Sequence, residues 1–143
     1  MPTKIQCAKL LGTLGMVWIG TAVYAADTSP SFKIVRQWTI ANGGFGRIIV
    51  LSKPKPTEQE LRSLGDALQQ LTRGDRNANV EIYDDEVAAR NRDAWLEEKL
   101  GKRDTRHHDT HLLGRYMRNG NTGYNEYQIY PKGWNGPTIV QRY

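Results

Sequence analysis

The sequence predicts an α+β domain in which a small antiparallel or mixed sheet is covered on one face by two helices, in the order ββαβαβββ. Three patterns lead to that class. Phe32, Ile34, Trp38 and Ile40 alternate with Lys33, Gln37 and Thr39 at a period of two. Leu61, Leu64, Leu68 and Leu71 recur at helical spacing. Residues 112–142 return to short alternating runs cut by Asn- and Gly-rich turns.

Residues 1–25 stand apart and read as a cleaved export signal. Lys4 and Lys9 flank a positive start, Leu10 to Val23 is apolar and uncharged, and Val23-Tyr24-Ala25 suits a cut before Ala26. The apolar run is short and rich in glycine for a membrane span, which needs about 20 apolar residues. Cleavage leaves residues 26–143 as a single domain of 118 residues with net charge +3 and no cysteine, so neither a disulfide framework nor thiol chemistry is expected. A chain of this size buries about two thirds of its unfolded surface, enough for one core. The expected location is periplasmic or secreted.

After the first strand, Asn42-Gly43-Gly44 signals a hairpin turn, because Asn and Gly tolerate positive φ, and Arg47 to Leu51 pairs back. Pro54 and Pro56 end that strand, since neither has an N–H to donate. Thr57 and Glu60 form a capping box that opens the first helix, and Gly74 is placed to end it. Val80 to Tyr83 is a short strand, parallel to Arg47–Leu51 if the helix makes a right-handed crossover. Asp84 or Asp85 then caps a second helix running to about Leu100, with a break near Asn91 where its apolar stripe is ragged. Leu112–Met117 and Tyr124–Tyr130 make a second hairpin, and Thr138–Arg142 a last strand.

Charge is distributed as a mosaic. Five bases and one acid lie in residues 26–57, seven acids and two arginines in 81–98, and six bases and two acids in 99–118. A mosaic suits an anionic surface or an envelope or extracellular protein as partner, and it equally suits plain solubility. Nucleic acid is disfavoured, because no recognised module interleaves aromatics with the bases. Gly-x-Ser-x-Gly and phosphate-loop motifs are absent from the sequence.

The densest chemistry is in Arg106-His107-His108-Asp109-Thr110-His111, which holds all three histidines. On a strand, His107, Asp109 and His111 share one face and offer a ligand set for a divalent metal, zinc or iron. On a helix, His107 and His111 are one turn apart, but His108 stands where a glutamate base would be needed. A metal-free phosphodiester cleavage would use two of these histidines, with Arg115, Arg106 or Lys102 on the phosphate and Glu126 as another base. The third reading is an exposed loop without chemistry.

Tyr116, Tyr124, Tyr127, Tyr130, Trp134 and Tyr143 cluster around the second hairpin. If Tyr124, Glu126, Gln128 and Tyr130 face one side, Tyr127 and Ile129 face the other and belong to the core. Arg115, Tyr116, Tyr124 and Trp134 are the candidate binding residues, with Trp134 the most exposed aromatic.

Two stretches carry a family resemblance. Tyr83-Asp84-Asp85-Glu86-Val87-Ala88-Ala89 follows a short strand, and Asp109-x-His111-Leu112-x-Gly114-x-Tyr116 runs on to Asn119-x-Asn121-Thr122-Gly123-Tyr124. Together they resemble a small α/β domain of uncharacterised bacterial secreted and mobile-element proteins. The resemblance implies no activity, but it raises Asp109 and His111 over His107 and His108 as residues with a fixed role; a purely structural role for that pair is an Asp that orients His111 at a strand start and caps the hairpin. The expectation is an exported, non-enzymatic binding module without a cofactor. The alternative is a small secreted hydrolase or metal-dependent enzyme centred on Asp109, His111 and Glu126.

Overall fold

The computed structural model describes residues 29–93 and 106–143. The proposed signal, and the stretch from residue 94 to Gly101 expected to continue the second helix, lie outside the described residues. The elements are β1 (Phe32–Ile40), β2 (Gly44–Leu51), α1 (Glu58–Leu71), β3 (Asn77–Tyr83), α2 (Glu86–Arg90), α3 (Arg106–His111), β4 (Leu112–Asn119), β5 (Tyr124–Ile129) and β6 (Ile139–Arg142).

The six strands form one sheet in sequence order, β1-β2-β3-β4-β5-β6. Every neighbouring pair is antiparallel except β2 and β3, which run parallel with α1 between them in the chain. The α+β class and the mixed sheet agree with the sequence pattern. The β1–β2 turn is closed by Asn42 and Gly43, both at positive φ.

α1 begins as its sequence requires. The Glu60 N–H donates to the Thr57 hydroxyl at 3.2 Å, and the Thr57 N–H donates to the Glu60 carboxylate at 2.7 Å. Its end differs from expectation: the helix stops at a Thr72 cap, whose hydroxyl donates back to the Leu68 carbonyl, rather than at Gly74. The Thr72 hydroxyl thus serves a last-turn carbonyl, the kind of group that a left-handed glycine cap satisfies with backbone N–H groups.

The two helices expected on one face are divided between two. Leu61, Leu64 and Leu68 of α1 pack with Ile49, Leu51, Val80, Ile82, Tyr116, Tyr127 and Ile129. On the opposite face, Ala88 and Ala89 of α2 pack with Ile48, Val50, Tyr83, Leu112 and Tyr130. The cause is β2: Ile48 through Leu51 is apolar at every position, so both sides of that strand need cover. Trp38 completes the second face by lying on Gly46, where an added Cβ would come within 2.0 Å of the indole.

Candidate functional site

Alternation along β3 to β6 sorts the last third into a core row under α1 and a second, open row, which emerges to solvent at Tyr124 while Glu126 and Tyr130 stay buried. Tyr127 and Ile129 point to α1 and are fully buried, while Tyr124, Glu126, Gln128 and Tyr130 share the other face. Tyr116 lies opposite Val80 and Tyr127 and is fully buried under α1. It is therefore a core residue and not a binding residue: the pleat that exposes Arg115 turns Tyr116 inward.

The open row is cross-linked by its own side chains. Tyr124 and Gln128 both donate to Glu126 Oε1 at 2.9 Å, and the Tyr130 hydroxyl donates to Gln128 Oε1 at 2.8 Å. Arg142 of β6 reaches Glu126 Oε2 at 3.2 Å from a largely exposed position. These contacts, the Gln128 amide foremost, hold the Glu126 carboxyl below the usual carboxylate range. Tyr124, Glu126, Arg142 and Tyr143 line a depression of about 440 Å³ together with Thr122, Gly123 and Asn125. Arg115 lies over the Trp134 ring, and Trp134 meets Tyr130 edge to face. Trp134 is consequently half-buried rather than free in its loop.

Deeper on the same face, β3 supplies Glu81 and Tyr83. The Glu81 carboxylate is buried and accepts from Arg92 twice at 3.0 Å, with Arg115 at 3.5 Å. Tyr83 donates its hydroxyl proton to Glu81 at 3.2 Å and meets His108 Nε2 at 2.9 Å. Burial raises the Tyr83 phenol well above its ordinary value and lowers the His108 imidazole below 6.5.

The histidine segment is a helix, not a strand, and this redistributes its side chains. His107 and His111 come together, with ring centres 4.6 Å apart. Asp109 does not join them: its carboxylate accepts from Asn135 at 3.1 Å and its carbonyl from the Trp134 N–H at 2.7 Å, so it ties α3 to the loop before β6. His111 is oriented instead by Asp84, whose buried carboxylate lies 2.6 Å from Nδ1. Asp85 caps α2, accepting from the Ala88 N–H at 2.7 Å, and lies 3.1 Å from His107 Nε2. That N–H bond first, and His107 after it, lower the Asp85 pKa. Asp85, His107 and His111 each place a donor atom within 4.8 Å of the others.

The proposed catalytic trio is thus divided. His111 pairs with Asp84, Asp109 with Asn135, and Glu126 with Arg142, Tyr124 and Gln128 on the open row. Glu81, Arg92, Asp84 and Asp85 escaped the sequence reading as site residues. The Asp84-Asp85 doublet at the end of an apolar strand was the available signal, read only as a cap. Among the described residues no helix is long and apolar enough to cross a membrane. No protein-family model, curated protein or solved structure matches the chain.

Proposed function

We propose that this chain is an exported, non-enzymatic binding module, periplasmic or secreted, that docks through the open row of β5 and its rim on an envelope or extracellular protein. The observation that carries the reading is the hydrogen-bonded series running from exposed Tyr124 through Glu126 to half-buried Gln128, anchored from below by the buried Tyr130 and flanked by exposed Val140 and Arg142. Side chains already held in one arrangement lose little conformational freedom on docking, which favours affinity. Tyrosines beside an arginine also match the composition of strong contact points at protein interfaces.

A photo-cross-linking residue at Val140, in cells producing the full chain, tests this. The expected result is a discrete adduct with an envelope or extracellular protein, reduced at least about tenfold by Tyr124→Ala combined with Arg142→Glu. An adduct insensitive to those substitutions, or none at all, would overturn the docking face. Export is read separately from the N-terminus of the exported fraction: Ala26 is expected, and a chain retained inside the cell would remove the exported reading.

A further inference from the structure

We propose that Asp85, His107 and His111 form a site for a single divalent transition-metal ion of the zinc class. The set arises where two short helices meet. Asp85 is fixed as the N-cap of α2, and His107 and His111 stand four residues apart on α3, hence on one side of that helix. One donor atom from each lies within 4.8 Å of the other two. Donors around a tetrahedral zinc ion are about 3.3 Å apart, given bonds near 2.0 Å, so closure needs side-chain rotation and no movement of the sheet.

Two details distinguish this group from a chance ion pair. Asp84 lies 2.6 Å from Nδ1 of His111 and is itself buried and held by the Lys55 N–H at 2.9 Å. Nδ1 is thereby the protonated nitrogen and Nε2 the one left with a lone pair, the carboxylate–histidine arrangement by which proteins orient metal-binding imidazoles. Asp85 makes both its cap bond and its His107 contact with Oδ1, leaving Oδ2 for an ion.

Two imidazoles and one carboxylate favour zinc, cobalt, nickel or ferrous iron over calcium or magnesium, which prefer all-oxygen sites. The side chains of Asp85, His107 and His111 are 32%, 56% and 25% exposed, so a fourth position faces water. Asp109, the carboxylate that strand geometry would have supplied, is outside the set because helical turn places it against Asn135.

The test is a titration of the metal-free full chain, carrying Cys7→Ser and no histidine tag, with Zn²⁺ and with Co²⁺. The expected result is saturable one-to-one binding, visible bands of low-symmetry Co²⁺, and a rise in thermal midpoint with Zn²⁺ concentration. Asp85→Asn, which can still cap α2, and His107→Ala, at an exposed position, are each expected to weaken binding by at least about tenfold. Asp84→Asn should weaken it about 10- to 100-fold, and Asp109→Asn should leave it unchanged. Absence of saturable binding by the folded chain would overturn the site. So would binding that survives Asp85→Asn and His107→Ala, or that falls as far with Asp109→Asn as with Asp85→Asn.

Discussion

The Tyr83 hydroxyl lies 2.9 Å from Nε2 of His108, and both side chains are buried between the sheet and α3. A phenol has one proton. That proton is shared between Glu81 at 3.2 Å and His108 Nε2 at 2.9 Å, so the three groups form one series from α3 through β3 to Glu81. Tyr83→Phe removes the middle of that series and with it the hydrogen bonds to both Glu81 and His108. The expected loss is about 1–3 kcal/mol of folding stability. His108→Phe combined with Tyr83→Phe should cost less than the two single changes added together, because both ends of one bond are then gone. Urea unfolding of the four proteins checks this, and strict additivity would show that the two groups do not interact.

Glu81 is the point on which the open face rests. Its carboxylate is buried, while the two guanidiniums that answer it, Arg92 and Arg115, keep some contact with water. Glu81→Ala removes one anion from two cations and is expected to cost about 3 kcal/mol, the low end for breaking a buried ion pair because the arginines can partly rehydrate. Arg92→Met added to Glu81→Ala should restore part of that loss. A double-mutant cycle by chemical denaturation measures it, and a cost below about 0.5 kcal/mol for Glu81→Ala would place the carboxylate at the surface.

Glu60 gives α1 a pH dependence of definite sign. The Lys53 hydrogen bond first, then the Thr57 backbone, lower its pKa from 4.5 to about 2. For an acid lowered on folding, the contribution to stability is present above the unfolded value near 4.5 and is lost as pH falls through about 2. Glu60→Gln can keep the reciprocal cap while removing the titration. Its stability should therefore fall less steeply than the native chain's between those two values. Parallel acid slopes in the two proteins would show that Lys53 and Thr57 do not act on Glu60 in solution.

These cases also explain which parts of the molecule are readable in the chain. α1 is legible because its determinants are local: Thr57, Glu60 and the leucine stripe lie within one segment. The sorting of Tyr127 from Gln128 follows from strand alternation and needs no partner. The helices' division between two faces was written in Ile48-Ile49-Val50-Leu51, a run apolar at consecutive positions rather than alternating ones. The Asp85–His107 contact joins residues 22 apart in sequence, and neither periodicity nor spacing selects that partner over Asp109. Helical rather than extended backbone at residues 106–111 decides which carboxylate meets the histidines, and tertiary packing sets that choice.

The same limit of local rules applies to Gly65, in the middle of α1. Helix propensity alone predicts that Gly65→Ala stabilises a helix by about 1 kcal/mol, through the lower entropy of the unfolded chain. Here an added Cβ would lie 1.8 Å from the Tyr143 hydroxyl, because β6 delivers Tyr143 onto α1. Tyr143 also lies beside Tyr116, with ring centres 6.4 Å apart, and its hydroxyl donates to Gln141 at 3.2 Å, so moving it disturbs more than its own ring. Gly65→Ala in the native background is therefore expected to be neutral or destabilising. In a Tyr143→Ala background the obstacle is gone, and the same change should recover about 0.5–1 kcal/mol. Thermal unfolding of the four proteins reads the coupling directly. Equal stabilisation in both backgrounds would mean that Tyr143 does not sit on α1.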